Sequence, residues 1–306
     1  MSFDKVGIRD KGKLTFLPYI KVDKDIFIIT GKFLKTATIH KEWSNDVSNP
    51  EAVADVLRKH KIDVFTFWQR LPDIAPRYNY YMEWHAISAL PITTYEHWIN
   101  NQIKTDTRKK IKRAPKRGVD IRKVELNDEF VKGAMKIYNE TPVRRGKRFW
   151  HFGKDFDTTK QELSEDLENS DFIGAYLNDE LIGYVKLNYY DRYANPGHIL
   201  SMLKYWNEKY TNNALIAKAV ELCAERKMEY LTYTNWRRGN QADFLRRHGF
   251  EKVLLPRYFV PLTIKGNLCL RLHLHRGIKP LLPEKMNLFL SNCRKAFYEK
   301  TASENI

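Results

Sequence analysis

Apolar and polar positions along the chain alternate with two different periods, and the switches between them outline the elements. Ile26–Ile29, then Thr30-Gly31, then Phe33 to Ile39 reads as a hairpin, two apolar runs around a glycine-bearing turn. Asn49-Pro50 is a helix start, asparagine as cap and proline at the first helical position, with Val53, Val56 and Leu57 turned inward as far as Lys61. Val64–Phe67 is an apolar strand. Thr93-x-x-Glu96 reads as a capping box that opens a helix reaching Ala114, where Pro115 and Gly118 stop it. Val119–Val124 is a strand, and Asn127–Tyr138 a helix with Phe130, Ala134 and Ile137 on one face. Thr159-x-x-Glu162 reads as a second capping box. Phe172–Leu177 and Leu181–Leu187 flank an Asn178-Asp179-Glu180 turn, a second hairpin. The apolar run 198–203, a polar loop Asn207–Asn213, a helix from Ala214, a strand Tyr230–Thr234 and a short helix from Asn240 follow. Val253–Leu262, with Pro256 and Pro261, reads as an edge or closing strand, and the chain from Pro283 on as helical.

The pattern is that of a mixed α/β chain, and 306 residues leave room for more than one domain. We expect an N-terminal α/β unit at 1–117 ending in a basic helix, a second unit at 118–262, and a partly helical extension at 263–306. No run of apolar residues is long enough to span a membrane. Met1–Lys5 lacks the apolar core of a secretory signal, and Cys223, Cys269 and Cys293 have neither zinc spacing nor a disulfide framework, so a cytoplasmic setting is expected.

Charge changes this picture in one place. The formal net charge is +16. Lys104–Lys123 holds ten basic residues against Asp106 and Asp120, an excess of eight in twenty positions. Such a run is either the solvated face of a helix or a track for the phosphates of an RNA such as tRNA. Arg144-Arg145-Gly146-Lys147-Arg148-Phe149-Trp150-His151 is a second concentration. Its guanidinium groups offer paired donors for an acidic acceptor, and Phe149 and Trp150 offer stacking faces.

Within 172–250 the order of hairpin, strand, loop, helix, strand and closing helix resembles the GNAT acyltransferase superfamily. The closing motif Asn240-x-Ala242-x-Phe244, with Gly249-Phe250, carries the resemblance best. At the family's pyrophosphate loop the match is Lys209-Tyr210-Thr211-Asn212-Asn213-Ala214, where Asn212 would take the left-handed conformation of an absent glycine. The resemblance implies a GNAT-like acyltransferase domain and an acyl-CoA, such as acetyl-CoA, as co-substrate. It would lie between strands 198–203 and 230–234, at Met202, Leu203, Lys209, Thr211, Asn212, Asn213 and Ala214, closed by Asn240 and Phe244. The family's tyrosine acid is replaced by Leu245, leaving Tyr233 and Tyr258 as candidate proton donors, with packed strand tyrosines as the alternative. Glu140 and His151 are the candidate bases for an amine acceptor, and Glu140 could equally pair with Arg144 or Arg145. Arg144, Arg145, Arg148, Phe149 and Trp150 are the candidate acceptor-binding residues.

Tyr95-x-x-Trp98, Arg108, Arg113-Ala114 and Gly118-Val119, together with element order, also resemble the Fem-type tandem family. That resemblance implies a degenerate second GNAT-like half and aminoacyl-tRNA as donor. A scaffold kept only for binding is the third reading. His273-Leu274-His275 puts two imidazoles on one strand face, but the sequence places no carboxylate or cysteine beside them, and no metal is expected.

Overall fold

A computed structural model describes residues 3–10, 13–144, 146–236 and 239–276. The chain forms two compact units. One holds the chain up to His85, Val143–Trp150 and the chain from Leu255 onward; the other holds Ala86–Pro142 and His151–Leu254. Strands and helices are numbered along the whole chain.

In the first unit β1 (Lys5–Asp10), β2 (Lys13–Val22), β3 (Asp25–Thr30) and β4 (Thr36–Ile39) follow one another as antiparallel neighbours. Gly31, at φ +83°, makes the turn between β3 and β4, a conformation open to glycine. Helix α1 (Pro50–Lys59) begins where Asn49 Oδ1 accepts from Ala52 N, and it returns the chain to β5 (Val64–Trp68), parallel to β4. β14 (Glu251–Pro261) pairs with β5 through Arg257–Pro261. Phe27, Leu57, Ile62, Phe65, Phe67 and Tyr258 form a core sealed from solvent. Helix α9 (Ile264–Arg271), capped by Thr263, follows in this unit.

β6 (Tyr81–Pro91) carries the chain into the second unit. There α2 (Tyr95–His97) widens into a π-turn at Trp98–Gln102, and α3 (Thr105–Arg113) starts afresh after extended Ile103. The single helix expected to reach Ala114 is therefore broken, and its cap is Thr94, whose Oγ1 accepts from His97 N, not Thr93. Next come β7 (Asp120–Val124), α4 (Asp128–Tyr138), the two-residue strands β8 (Val143–Arg144) and β9 (Lys147–Arg148) of the first unit, and α5 (Phe156–Ser164). Asp155, not Thr159, caps α5; Thr159 is buried inside it and donates to the Asp155 carbonyl.

β10 (Ser170–Leu177), β11 (Glu180–Tyr190) and β12 (Tyr193–Ser201) form a meander, with β7 on its outer side. Asn178 and Asp179 both take positive φ in the β10–β11 turn, the backbone a right-twisted hairpin favours. After α6 (Leu203–Trp206), α7 (Thr211–Glu225) leads to β13 (Tyr230–Asn235), parallel to β12 and antiparallel to the end of β6; α8 (Asn240–Arg247) follows. Successive residues of β11 alternate in direction. Tyr184 meets Phe130 and Tyr138 of α4, while Gly183 faces Thr211 of α7, so the sheet is covered by helices on both faces. Leu181–Leu187 are accordingly buried without a break.

These units do not divide the chain at 117 and 262. Residues 86–117 belong to the second unit because the end of β6 pairs with β13 and Trp98 binds the His248 carbonyl. Residues 255–262 belong to the first unit because β14 pairs with β5. The expected helix from Pro283 lies outside the described residues, as does Cys293.

Candidate active site

β12 and β13 are hydrogen-bonded neighbours only at Tyr193 with Tyr230 and Ala194 with Leu231. Beyond these two pairs the strands separate. Asn195 spans the opening, its Nδ2 donating to Thr232 Oγ1 at 3.0 Å and to the Tyr233 carbonyl at 3.2 Å. Strand edges that part in mid-sheet expose peptide groups that must find other partners.

The start of α7 stands beside this wedge and is more crowded than the sequence suggests. The helix begins at Thr211, so Thr211–Asn213 form its first turn and not a preceding loop. Tyr210, not Asn212, takes the left-handed conformation, at φ +59°. The Arg117 guanidinium lies 4.4 Å from the Tyr210 ring centroid and donates to the Glu208 carbonyl. Thr211 is fully buried with its hydroxyl on the Tyr205 carbonyl. Asn213 Nδ2 is 3.1 Å from His248 Nε2, and the other ring nitrogen of His248 is 2.8 Å from the Phe244 carbonyl. Burial holds the His248 pKa down at about 4, so its ring is neutral, donating from Nδ1 and accepting at Nε2. Lys209 pairs with Glu208. Ala214 is buried, Asn240 is exposed at the first position of α8, and the Phe244 ring stacks 4.3 Å from His248. Met202 is buried and donates its N–H to the Ile182 carbonyl.

The expected catalytic groups do not share one place. Both Glu140 oxygens accept backbone N–H groups at the start of α6, from Leu203 at 2.7 Å and Lys204 at 3.2 Å. Glu140 thereby fastens the end of α4 to the exit of β12. Tyr258 belongs to the first unit's core, where its hydroxyl donates to Gln69 Oε1 and accepts from Arg77 N. Tyr233 lies on the diverging part of β13, half-buried. His151 is buried, its ring centroid 4.2 Å from that of Tyr138 in a tilted contact and 5.1 Å from that of His198 edge to face. Arg144, Arg148, Phe149 and Trp150 lie in the first unit, with the Arg144 guanidinium over the Phe149 ring at 4.4 Å. Arg145 lies outside the described residues.

Sequence reasoning missed the polar cluster around His151. Tyr138 and Tyr184 share a 2.6 Å hydroxyl hydrogen bond, and Lys154 reaches both Glu162 and His151 Nδ1. Lys186 donates to the Leu163 carbonyl. Desolvation, reinforced by Lys186 and Lys154, lowers the pKa of His198 to about 4. Nothing in the local pattern marks these residues, because His198 and Lys186 sit within apolar strand runs and meet only through the β11–β12 register.

No family model matches the chain, and no curated protein matches it. Among solved structures it is similar to L-PGS from Bacillus licheniformis, at 10% identity over 84% of this chain and 88% of that one, with a TM-score of 0.56. It is also similar to FemX, at 11% identity over 82% and 87%, TM-score 0.52. The fold is shared with these two structures. A third similar structure is the C-terminal domain of a lysylphosphatidylglycerol synthetase candidate from Agrobacterium fabrum, at 12% identity over 83% and 87%, TM-score 0.53. At such identities the likeness is one of fold.

Proposed function

We propose that this protein transfers an aminoacyl group from an aminoacyl-tRNA to an amine. The observation that carries the reading is the pairing of an open β12–β13 wedge with a basic segment at its helix. Lys104, Lys109, Lys112, Arg113, Lys116 and Arg117 are exposed, α3 packs along α7, and Arg117 folds over Tyr210 at the α7 start. Single phosphates need few cations; a nucleic-acid backbone uses many. One fold relative is named for a lysyl group on phosphatidylglycerol, an aminoacyl group carried on a hydroxyl, which bears on the aminoacyl part of this reading and not on the amine acceptor.

In this reading the ester carbonyl lies in the wedge, where peptide N–H groups of the parted strands stabilise the oxyanion. The acceptor nitrogen attacks, the C–N bond forms, and the ester C–O bond breaks. The amine proton passes to the departing ribose oxygen by way of Tyr233, which lies on the diverging part of β13. Glu140 holds the α6 entrance and acts by position.

The wedge equally favours a second reading, with acyl-CoA as donor and its pantetheine amides on the strand edges. The side chains filling the first turn of α7 weigh against a pyrophosphate seated there. Binding separates the two. Filter binding of tRNA between 50 and 200 mM salt should weaken with a log–log slope of about −3 to −5, several phosphates being neutralised. Charged tRNA bearing a labelled amino acid should also pass its label to an amine acceptor. A melting temperature raised by acetyl-CoA, with no salt-dependent tRNA binding, would replace this reading by the second. Neither response would leave a binding scaffold.

A further inference from the structure

The first unit supplies the carboxylate that the sequence does not place beside His273 and His275. It comes from Glu83 on β6, far back in the chain. Glu83, His273 and His275 each offer a ligand atom, and all three atoms lie within 4.8 Å of one another. Glu83 Oε1 is the point of convergence: His275 Nε2 lies 2.8 Å away, Arg276 Nε 2.9 Å and the Tyr81 hydroxyl 3.1 Å. That hydroxyl is also 3.3 Å from His273 Nδ1.

We propose that Glu83, His273 and His275 form a binding site for a divalent transition metal, zinc by the chemistry of its ligands. Two imidazoles and one carboxylate are a common set for three-ligand zinc, with metal–ligand distances near 2.0–2.2 Å and a fourth position left open. Neighbouring ligand atoms around such an ion stand roughly 3.3–3.5 Å apart, which follows from tetrahedral geometry at those bond lengths. The ligand atoms, now within 4.8 Å of one another, must close by up to about 1.5 Å to meet that spacing. The proton now shared by His275 and Glu83 occupies the line where the cation would enter. Arg276 and Tyr81, both now on Glu83 Oε1, then serve as outer partners of the carboxylate.

The backbone already holds the ligands in place. Asp63 accepts from Thr263 Oγ1 at 2.9 Å and pairs with Lys265 at 2.8 Å, which fixes the start of α9. Gly266 lets the helix close on the Asp63 carbonyl; a Cβ there would lie 2.0 Å from that oxygen. The His275 side chain is 5% exposed, and its Nδ1 is buried without a hydrogen-bond partner among the described residues. The ion would clip the chain after α9 to β6.

The full chain, stripped with EDTA and dialysed, should bind one zinc equivalent in a calorimetric titration. Cobalt should give the visible absorption of a tetrahedral site. His273→Gln, at an exposed position, should weaken zinc binding more than about 100-fold, beyond the loss typical of an outer-sphere partner. His275→Gln should do the same, and His97→Gln should change nothing. Circular dichroism reports folding of each variant, and a zinc-induced rise in melting temperature should vanish in His273→Gln. Absence of stoichiometric binding at micromolar zinc, or unchanged binding in folded His273→Gln, would overturn the site, leaving a plain Glu83–His275–Arg276 ion pair.

Discussion

His248 couples three parts of the second unit through its ring and its own backbone. It caps α8, accepts from Asn213 at the start of α7, and its carbonyl receives the Trp98 indole N–H at 2.9 Å. A neutral ring suits the side-chain contact, in which Nε2 accepts from Asn213. Its pKa near 4 lies below the ordinary value of 6.5, so the unfolded chain binds the proton more readily than the folded one. Stability contributed by His248 is thus complete above pH 6.5 and is lost as pH falls toward 4, a difference of roughly 3 kcal/mol at the extremes. Thermal denaturation across that window should show a steep decline, and His248→Gln should remove about one proton from the slope while His198 keeps titrating. A slope unchanged in the variant would mean the ring is solvated. The closing motif was legible because Asn240, Ala242, Phe244, Gly249 and Phe250 lie within eleven positions. The role of His248 was not, since its partners Asn213 and Trp98 are distant in sequence. The same reason hid Glu83 from His273 and His275, and made Tyr258 look like a candidate acid although Gln69 and Arg77 engage its hydroxyl.

Elements were readable where local chemistry decided them. The β10–β11 hairpin, α1 with its Asn49 cap and α4 with its inward Phe130, Ala134 and Ile137 all follow from period and capping. The α7 start was misread because Tyr210, an uncommon left-handed residue, turns the chain before the asparagines do. What fits α7 to the sheet is Gly183 on β11. A Cβ there would stand 2.9 Å from both Thr211 Cγ2 and Ser201 Cβ and 3.1 Å from the Leu200 carbonyl. All three neighbours are held by backbone pairing or burial, so none can give way cheaply. Gly183→Ala should destabilise the protein by about 1–3 kcal/mol in urea denaturation, as overpacking does. It should also push the α7 start away from β12 and weaken donor binding in the folded fraction. Asn195→Ala acts on the other wall. It removes the two hydrogen bonds bridging Thr232 and Tyr233, and should slow transfer more than it weakens tRNA binding, because the basic segment is untouched. Equal losses in both would place the donor's carrier, and not its acyl group, in the wedge.

Across the whole molecule the charge is uneven, and that unevenness is what a polyanionic donor would exploit. Half of the +16 excess lies in Lys104–Lys123. Several of those cations are already committed: Lys110 pairs with Asp106, Arg122 with Asp120 and Lys123 with Asp171. Lys109, Lys112, Arg113 and Lys116 are exposed on α3 and the turn that follows it, clear of the buried positions Thr107, Ile111 and Ala114 that seat the segment. Exposed lysines and arginines add little to folding stability, so replacing them separates binding from folding. Changing these four to glutamine should leave the melting temperature within a few degrees of the parent. The log–log salt slope of tRNA binding should fall by about 3, near 0.7–0.9 for each phosphate that is no longer neutralised. Acyl-CoA binding through the wedge needs none of the four. If tRNA affinity and slope survive the quadruple change, the basic segment is only a solvated helix face, and the donor must be held by the wedge alone.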